Sequence, residues 1–445
     1  MEANVNWSNC LDYAALTDVG MRRANNQDAN AVQLAPDQAT WTSRGHLFVV
    51  CDGMGAHAAG ELASKLAAEA IPFSYFKQQD SNAADALRKS VREGNAQIFQ
   101  RGQANAEFHG MGTTASALVL VPQGAIAAHV GDSRVYRLRD STLEQLTFDH
   151  SLVWEMSAAG QLPKDSLPNF VPKNIITRSL GPHAEVQVDL EGPFPLKLGD
   201  TFLLCSDGLT GQVKDEEIGA ILGSLPPAES ARVLIDLANL RGGPDNITVI
   251  VVKITGRDMI GNSGQPAEPI SITEEAAEVR STKTIQYGSW GLAAVALIAA
   301  FAMAGAGQPV AAIVSLVIAV ALAAIGYVQS SGATGPEVRQ LTAGNMLGKG
   351  PHTKCVCQPS ETLVSHLHKL VTQLRDAATA GDWSIDWSKF NTYARQGALA
   401  AEKHEYQQAV RDYSRALRAM MNELRSQRSK RPPGEDEGTE SVLGK

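Results

Sequence analysis

The sequence has few cysteines and no excess of positive charge. Its 445 residues include only 5 cysteines, too few for a disulfide framework, so we expect a reducing compartment. Lysine and arginine number 39 against 47 aspartates and glutamates, which gives a formal net charge of −8. Because general nucleic-acid binding needs a basic footprint, we expect no nucleic-acid partner. Segment 1–16 lacks a basic stretch followed by an apolar run, so we expect no secretory signal peptide.

The part of the chain that we assign to a first domain, residues 1–256, has the pattern of a mixed globular fold. Short apolar runs bounded by Gly, Asp and Pro predict strands at Leu47–Cys51, Ser116–Val121, Ala125–Val130, Arg134–Arg139, Thr201–Cys205 and Ile247–Ile254. Helical stretches are predicted between them, at Gly60–Ala70, Ala83–Arg101 and Ala228–Leu240. Since strands and helices do not alternate strictly, the pattern favours an α+β fold.

The segment after this domain predicts a membrane anchor. Residues 257–286 are polar and rich in Gly, Pro, Ser and Glu, which is typical of a linker. Residues 287–329 carry no charge and contain two apolar runs, about 289–304 and 310–328, each near the ~20 residues of a spanning helix. Basic residues flank the pair on both outer sides. We therefore predict a two-helix transmembrane hairpin in a multi-pass protein of the cytoplasmic (inner) membrane, with both flanking regions cytoplasmic. The alternative is a buried Ala- and Gly-rich helix pair of a soluble protein.

The C-terminal region, 354–430, is predicted to be helical. Apolar residues recur there at helical spacing, at Leu363, Leu367, Leu370, Val371 and Leu374. A later set of small and large residues resembles one tetratricopeptide repeat, at Gly397, Ala409, Tyr413 and Ala416. An ordinary helical hairpin or bundle is the alternative, and a protein partner is a candidate ligand for these helices. Residues 431–445 are acidic and contain Gly and Pro, so we expect a disordered tail.

Four aspartates of the first domain stand beside glycines at the ends of strand-like runs. They are Asp52, Asp132, Asp207 and Asp245. For any one of them a plain turn is the simpler interpretation, but four in one domain predict a site. Carboxylates that converge from several strands repel one another unless cations lie between them. Hard oxygen ligands without a His or Cys cluster favour Mg²⁺ or Mn²⁺. The segment Thr17–Asp28 adds two arginines, a residue type suited to phosphate oxygens.

Together these segments resemble one known family. Over roughly residues 12–254 the sequence is similar to the bacterial form of the metal-dependent protein phosphatases (PPM, type 2C serine/threonine phosphatases). The motifs that carry the resemblance follow the family order: Thr17-Asp18-Val19-Gly20, Arg23 to Asp28, Asp52-Gly53-Met54-Gly55, Gly112-Thr113-Thr114, Gly131-Asp132-Ser133-Arg134, Thr147 to Ser151, Ile176-Thr177-Arg178, Ser206-Asp207-Gly208-Leu209 and Asp245-Asn246-Ile247-Thr248.

The resemblance implies a four-layer αββα sandwich and a metal site. Asp52 would bridge two Mn²⁺ or Mg²⁺ ions, with the Gly53 carbonyl on one of them. Asp207 and Asp245 would complete the other site. Asp132, with Asp207, would hold a third ion.

The resemblance also implies the reaction. Asp52, Arg23 and Asp207 would be catalytic, with Arg23 binding the phosphate, and Asp28 and Asn246 would support the metal ligands. The activity would be hydrolysis of phosphoserine and phosphothreonine in proteins by direct attack of a metal-bridging hydroxide. The partners would be phosphorylated proteins, a Ser/Thr kinase counterpart and the membrane. The alternative is a catalytically silent scaffold that binds phosphoproteins through this domain or the C-terminal helices. The presence of all four metal-site aspartates favours the enzyme.

Overall fold

A computed structural model describes the chain at residues 7–55, 58–78, 81–160, 175–260, 270–273, 297–298, 338–341, 347–381, 383 and 385–428. The chain divides into two compact units. One contains Met1–Glu268 together with Thr342–Lys445, and the other contains Pro269–Leu341.

Two antiparallel sheets form the centre of the first unit. Among the described residues the first sheet has the order β1-β11-β10-β7-β8-β14. Its strands are β1 (Leu11–Asp18), β7 (Arg134–Arg139), β8 (Thr142–Gln145), β10 (Thr201–Cys205), β11 (Ile247–Ile254) and β14 (Thr353–Val356). The second sheet has the order β2-β3-β5-β6-β9, and the short β4 pairs with the end of β3. Its strands are β2 (Asp28–Gln33), β3 (His46–Met54), β4 (Gly112–Thr113), β5 (Ala115–Val121), β6 (Gly124–Val130) and β9 (Asp189–Phe194).

The apolar faces of the two sheets pack against each other, and helices cover the outer faces. Phe48 and Leu118 of the second sheet share one core with Phe202 and Ile250 of the first. The helices of this part are α1 (Gln38–Ser43), α2 (Ala59–Lys77), α3 (Ala83–Ala104), α4 (Leu152–Ala158), α5 (Asp207–Thr210), α6 (Asp215–Ser224) and α7 (Pro227–Leu240). Three short 3-10 helices lie at Trp7–Cys10, Ala106–Phe108 and Arg257–Met259. Helices α2 and α3 lie against the second sheet, and α6 and α7 against the first. The predicted α+β class is therefore confirmed.

The C-terminal region belongs to the same compact unit as these sheets. Its helices are α8 (Glu361–Ala380), α9 (Trp387–Glu402) and α10 (Tyr406–Arg428). Their buried residues join the core that lies between the first sheet and α6–α7. Tyr413 lies where a side chain on Gly397 would stand, because a Cβ there would be 2.9 Å from the tyrosine ring. The small and large residues that suggested a repeat are thus packed where α9 and α10 meet.

The segment leading into these helices is bound to both sheets. Strand β14 pairs with β8 at the edge of the first sheet. Before it, the buried carboxylate of Glu191 in β9 accepts hydrogen bonds from the Gly350 amide at 2.8 Å and from His352 Nε2 at 3.0 Å. Cys357 lies so close to α6 that a Cβ on Gly219 would be 2.4 Å from its Sγ. The C-terminal region is consequently joined to the sandwich by strand pairing, ionic hydrogen bonds and apolar contact.

The described part of the second unit is a short strand pair. Strand β12 (Ile270–Thr273) pairs antiparallel with β13 (Val338–Leu341). The predicted spans, 289–304 and 310–328, lie outside the described residues except for Leu297 and Ile298.

The predicted multi-pass location at the cytoplasmic membrane is contradicted. Within the described ranges, no helix is both long enough and apolar enough to cross a bilayer. The prediction relied on the absence of charge in these runs. Absence of charge is not enough for a spanning helix, and the first run, 289–304, is shorter than a ~30 Å hydrocarbon core requires.

Candidate active site

The aspartates predicted from the sequence meet at one end of the sandwich. Asp28 begins β2 and lies opposite Asp52 in the register of β2 with β3. Asp132 lies in the turn between β6 and β7, and Asp207 begins α5 directly after β10. Asp245 lies just before β11. Strand ends thus bring together side chains that are far apart in the chain, and the strands hold the carboxylates rigidly.

Asp28 and Asp132 are buried, the other three aspartates are partly exposed, and all five lie within electrostatic reach of one another. Burial raises the pKa of Asp52 well above its usual value, and the charges of Asp28, Asp207, Asp132 and Asp245 raise it further. Burial, with the charge of Asp207 adding to it, raises the pKa of Asp132 to about 7. Burial also raises the pKa of Asp28 to about 7, against hydrogen bonds from Thr248 and Ser206. A cluster of this kind is stable in its ionised form only with positive charge between the carboxylates.

The oxygens of the cluster fit divalent cations. Three buried carboxylate oxygens of this cluster have no hydrogen-bond partner among the described residues: Asp28 Oδ1, Asp132 Oδ1 and Asp207 Oδ1. Gly53 is enclosed by backbone, since a Cβ there would be 2.1 Å from the Gly60 carbonyl oxygen. Over the described residues, no three His, Cys, Asp or Glu side chains converge tightly enough to enclose an ion by themselves. Mg²⁺-type ions use one or two carboxylates and complete their shell with other oxygens.

Two threonines fix the backbone of Asp52. The Asp52 amide donates to Thr114 Oγ1 at 2.9 Å. Its carbonyl accepts from the Thr114 amide at 2.8 Å and from Thr113 Oγ1 at 2.9 Å. Thr114 Oγ1 also lies 2.7 Å from Ser133 Oγ, beside Asp132. The sequence pattern marked these threonines as part of a motif but assigned them no role. Their role depends on contact between segments that are distant in the chain.

Asn246 and Asp28 support the loops of the site. The Asn246 side chain donates to the carbonyls of Val19 at 2.9 Å and Asn25 at 3.0 Å. Its Oδ1 accepts from the Gln27 amide at 2.8 Å. Asp28 Oδ2 accepts from Ser206 Oγ at 2.7 Å, next to Asp207. Asn246 therefore fixes both ends of the loop that carries Arg23.

Arg23 lies at the rim of the carboxylate cluster. Its Nη2 donates to Asp245 Oδ2 at 2.7 Å, and its Nε donates to the Pro244 carbonyl at 3.3 Å. The arginine side chain is 48% exposed. The guanidinium can thus reach a ligand that enters from solvent while it stays beside the acidic cluster.

A hydrogen-bond network centred on His150 supports the turn that carries Asp132. The Gly131 amide donates to His150 Nδ1 at 3.0 Å, and the ring of His150 stacks on His129 with centroids 5.0 Å apart. His150 Nε2 lies 2.9 Å from Asp189 Oδ2. Burial alone would raise the pKa of Asp189, but the hydrogen bonds and charges of His150 and Arg178 lower it to about 2. Sequence reasoning noted the segment around His150 but missed this arrangement.

Replacing Asn246 with alanine should lower the free energy of unfolding by about 2–4 kcal/mol. The change removes three partly buried hydrogen bonds, each worth roughly 1 kcal/mol, and leaves polar backbone groups unpaired. Urea denaturation of the full chain measures it. Asn391→Ala, at an exposed position of α9, is the control and should change stability by less than about 0.5 kcal/mol. Equal effects of the two substitutions would contradict this role for Asn246.

The chain is similar in sequence to known proteins. A family model described as Protein phosphatase 2C matches residues 21–225. The serine/threonine phosphatase stp of Listeria welshimeri is 39% identical over 242 residues, which are 53% of this chain and 93% of that protein. The Streptococcus agalactiae serine/threonine phosphatase structure is 36% identical, covers 55% of this chain and 99% of that chain, and has a TM-score of 0.50. The catalytic domain of the phosphatase PstP, solved in complex with two manganese ions, is 36% identical over 55% of this chain and 98% of that chain, with a TM-score of 0.47.

These matches establish the family. Relatives well above 30% identity are matched over nearly their whole length. The chain therefore belongs to the protein phosphatase 2C family.

Proposed function

We propose that this chain is a metal-dependent protein serine/threonine phosphatase that hydrolyses phosphoserine and phosphothreonine in proteins. The observation that carries the proposal is the buried group of carboxylates around Asp52, with Arg23 at its rim. Such a group needs cations, and the arginine beside it suits a phosphoryl group. The names of the relatives point to the same activity.

Mn²⁺ or Mg²⁺ ions are the cofactor of this enzyme class. Asp52 and the Gly53 carbonyl would hold one ion, and Asp52, Asp207 and Asp245 would hold a second. Asp132, with Asp207, would hold a third. Bound divalent cations supply a water of lowered pKa as nucleophile and offset negative charge on the phosphoryl oxygens.

The surrounding side chains favour direct attack of water over a covalent phosphoenzyme. Burial raises the pKa of the Cys51 and Cys205 thiols, which lie in the strands leading to Asp52 and Asp207. The Ser206 hydroxyl is hydrogen-bonded to Asp28. None of these three groups is therefore an exposed, activated nucleophile.

The test is hydrolysis of a phosphothreonine peptide by the full chain with Mn²⁺ and with EDTA. We expect Mn²⁺-dependent phosphate release that EDTA abolishes. A folded chain that binds Mn²⁺ and the phosphopeptide without releasing phosphate would overturn the catalytic proposal. That result would instead identify a silent phosphoprotein-binding scaffold.

Arg23→Ala should raise KM for the phosphopeptide about tenfold to a hundredfold, with a smaller effect on kcat. It removes a charged hydrogen-bond donor worth roughly 1.5–3 kcal/mol from the phosphate site. Arg23→Lys should restore part of the loss, because lysine keeps the positive charge but cannot make the paired hydrogen bonds of a guanidinium. Arg22→Ala, at the exposed neighbouring position, is the control. If Arg22→Ala and Arg23→Ala raise KM equally, Arg23 has no specific role in phosphate binding.

We further propose the following organisation and partners. Residues 1–256 form the phosphatase domain, 257–286 a linker, 354–430 a C-terminal region, and 431–445 a tail. A Ser/Thr kinase is the enzyme that would supply the phosphorylated substrates. A further protein is a candidate partner of the C-terminal helices.

A further inference from the structure

Helix α10 is attached to α6 and α7 by a row of polar side chains. Gln407 Nε2 donates to the Gly223 carbonyl at 3.0 Å, and Arg411 Nε donates to the Ser224 carbonyl at 2.9 Å. Arg415 forms an ion pair with Glu229 in the first turn of α7, with Nε 2.8 Å from Oε2. Near the other end of α10, Arg425 Nη2 contacts Asp236 Oδ1. Two ion pairs, one from the middle of α10 and one from its C-terminal end, thus hold α7 against this helix.

Of the two ion pairs, the one between Arg425 and Asp236 is the more deeply buried. The Asp236 side chain is wholly buried, while Arg425 is 34% exposed. Burial raises the pKa of Asp236 to about 6, against the charges of Arg425 and Arg232, and the charge of Asp18 raises it further. A buried carboxylate that loses its partner is strongly destabilised, so this pair constrains the position of α7.

The last turn of α7 is in turn bonded to the loop that carries Arg23. Asn239 Nδ2 donates to Asp18 Oδ1 at 3.1 Å, and the same oxygen accepts from the Gly20 amide at 3.0 Å. The Gly243 carbonyl accepts from the amides of Met21 at 2.8 Å and Arg22 at 3.2 Å.

The turn that follows α7 continues directly into the active site. Pro244 accepts a hydrogen bond from Arg23, and Asp245 forms the ion pair with it. An unbroken series of contacts therefore runs from Arg425 through α7 to both the arginine and a proposed metal ligand.

We propose that Asp236 and Arg425 are positioning residues for the phosphate-binding loop. Through them, helix α10 sets the position of the C-terminal end of α7, and so the relative placement of Arg23 and Asp245. This inference rests on the proposed phosphatase function for its kinetic consequences. The coupling of α10 to the loop is a structural statement that can be tested without activity.

The relatives indicate that this coupling is an addition to the domain. The Streptococcus agalactiae structure is matched over 99% of its length by 55% of this chain. A phosphatase domain of this family is thus complete in about that length, so the contacts from α10 act on a fold that does not require them.

The experiment compares Arg425→Ala with Arg415→Ala in the full chain. Both changes remove one arginine of α10 that pairs with α7. Arg415 acts at the start of α7, away from the active site, and is the matched control. Hydrogen exchange measures the backbone of segments 18–25 and 239–246, and steady-state kinetics on the phosphothreonine peptide with Mn²⁺ measures KM and kcat.

We expect Arg425→Ala to speed exchange in both segments at least threefold. It should also raise KM at least threefold, with kcat within about twofold. Arg425→Lys should recover part of each effect, and Arg415→Ala should leave both segments and KM as in the wild type. Arg425→Ala should add little when Asp236 is already Asn, because both changes break the same pair.

Two results would overturn the inference. One is unchanged exchange in segments 18–25 and 239–246 in a folded Arg425→Ala chain. The other is an equal effect of Arg425→Ala and Arg415→Ala, which would show only a general loosening of α10. If Arg425→Ala does not fold, Asp236→Asn, which keeps the shape of the side chain, provides the same comparison. The wild type could fail to hydrolyse the peptide while Arg425→Ala still speeds exchange in both segments. That result would contradict the proposed function and leave the coupling established.

Discussion

Asp52→Asn is expected to reduce phosphopeptide turnover on the order of a thousandfold or more in the full chain with Mn²⁺. Asp52 lies at the centre of the carboxylate group, since the charges of four other aspartates act on it. It is the one residue that we assign to both principal ions. Removing its charge weakens both sites together, whereas the asparagine keeps the size of the side chain and the strand pairing of β3.

The measurement is phosphate release from the peptide over a range of Mn²⁺ concentrations. Asp12→Asn, an exposed aspartate of β1 in the same domain, is the control and should keep wild-type turnover. Turnover by Asp52→Asn within tenfold of the wild type would contradict the assignment of Asp52 as the shared ligand. If high Mn²⁺ fully restores turnover, Asp52 contributes only to metal affinity.

Removing the metal should lower the thermal stability of the phosphatase as well as its activity. At a free Mn²⁺ concentration a hundred times Kd, binding to the folded state stabilises it by about 2.7 kcal/mol. For a domain of this size that corresponds to roughly 5–10 °C in Tm. Thermal denaturation in Mn²⁺ and in EDTA measures the difference.

Thermal denaturation of Asp52→Asn is a sharper test, because the substitution should raise Tm in EDTA and lower it in Mn²⁺. In EDTA the variant should be more stable than the wild type, since one buried carboxylate and its repulsion from its neighbours are gone. In Mn²⁺ it should be less stable, since a ligand is missing. Asp12→Asn should track the wild type in both conditions. If Asp52→Asn lowers Tm equally with Mn²⁺ and with EDTA, the carboxylate group is not held together by metal.

Sequence patterns located the strands that carry the site with little error. Arg134–Arg139, Thr201–Cys205 and Ile247–Ile254 were predicted with the bounds that the structure shows. These strands are short, apolar and bounded by turn residues, so local signals are enough. Strands β1 and β2 were not predicted, because their residues alternate weakly and several are half-exposed. Their place depends on pairing with β11 and β3, which are remote in sequence.

The predicted multi-pass membrane location was wrong, and that prediction had relied on the absence of charge. A run without charge is necessary for a spanning helix but does not by itself supply the required length. The run 289–304 lacks charge but is shorter than a spanning helix needs, and nearly all of both predicted spans lies outside the described residues. In the described part of the chain, no helix meets the length and hydropathy that a bilayer requires.

The sequence by itself indicated the family, because its motifs follow the family order, and that resemblance implied the activity and the metal cofactor. Only the tertiary structure decided that the C-terminal helices lie on α6 and α7, and that Arg425 meets Asp236 there. The reason is physical. Helical periodicity shows which face of α10 is apolar, but its partner surface is about 190 residues away in sequence. A contact at that separation is set by packing of the whole unit, which leaves no local pattern in the chain.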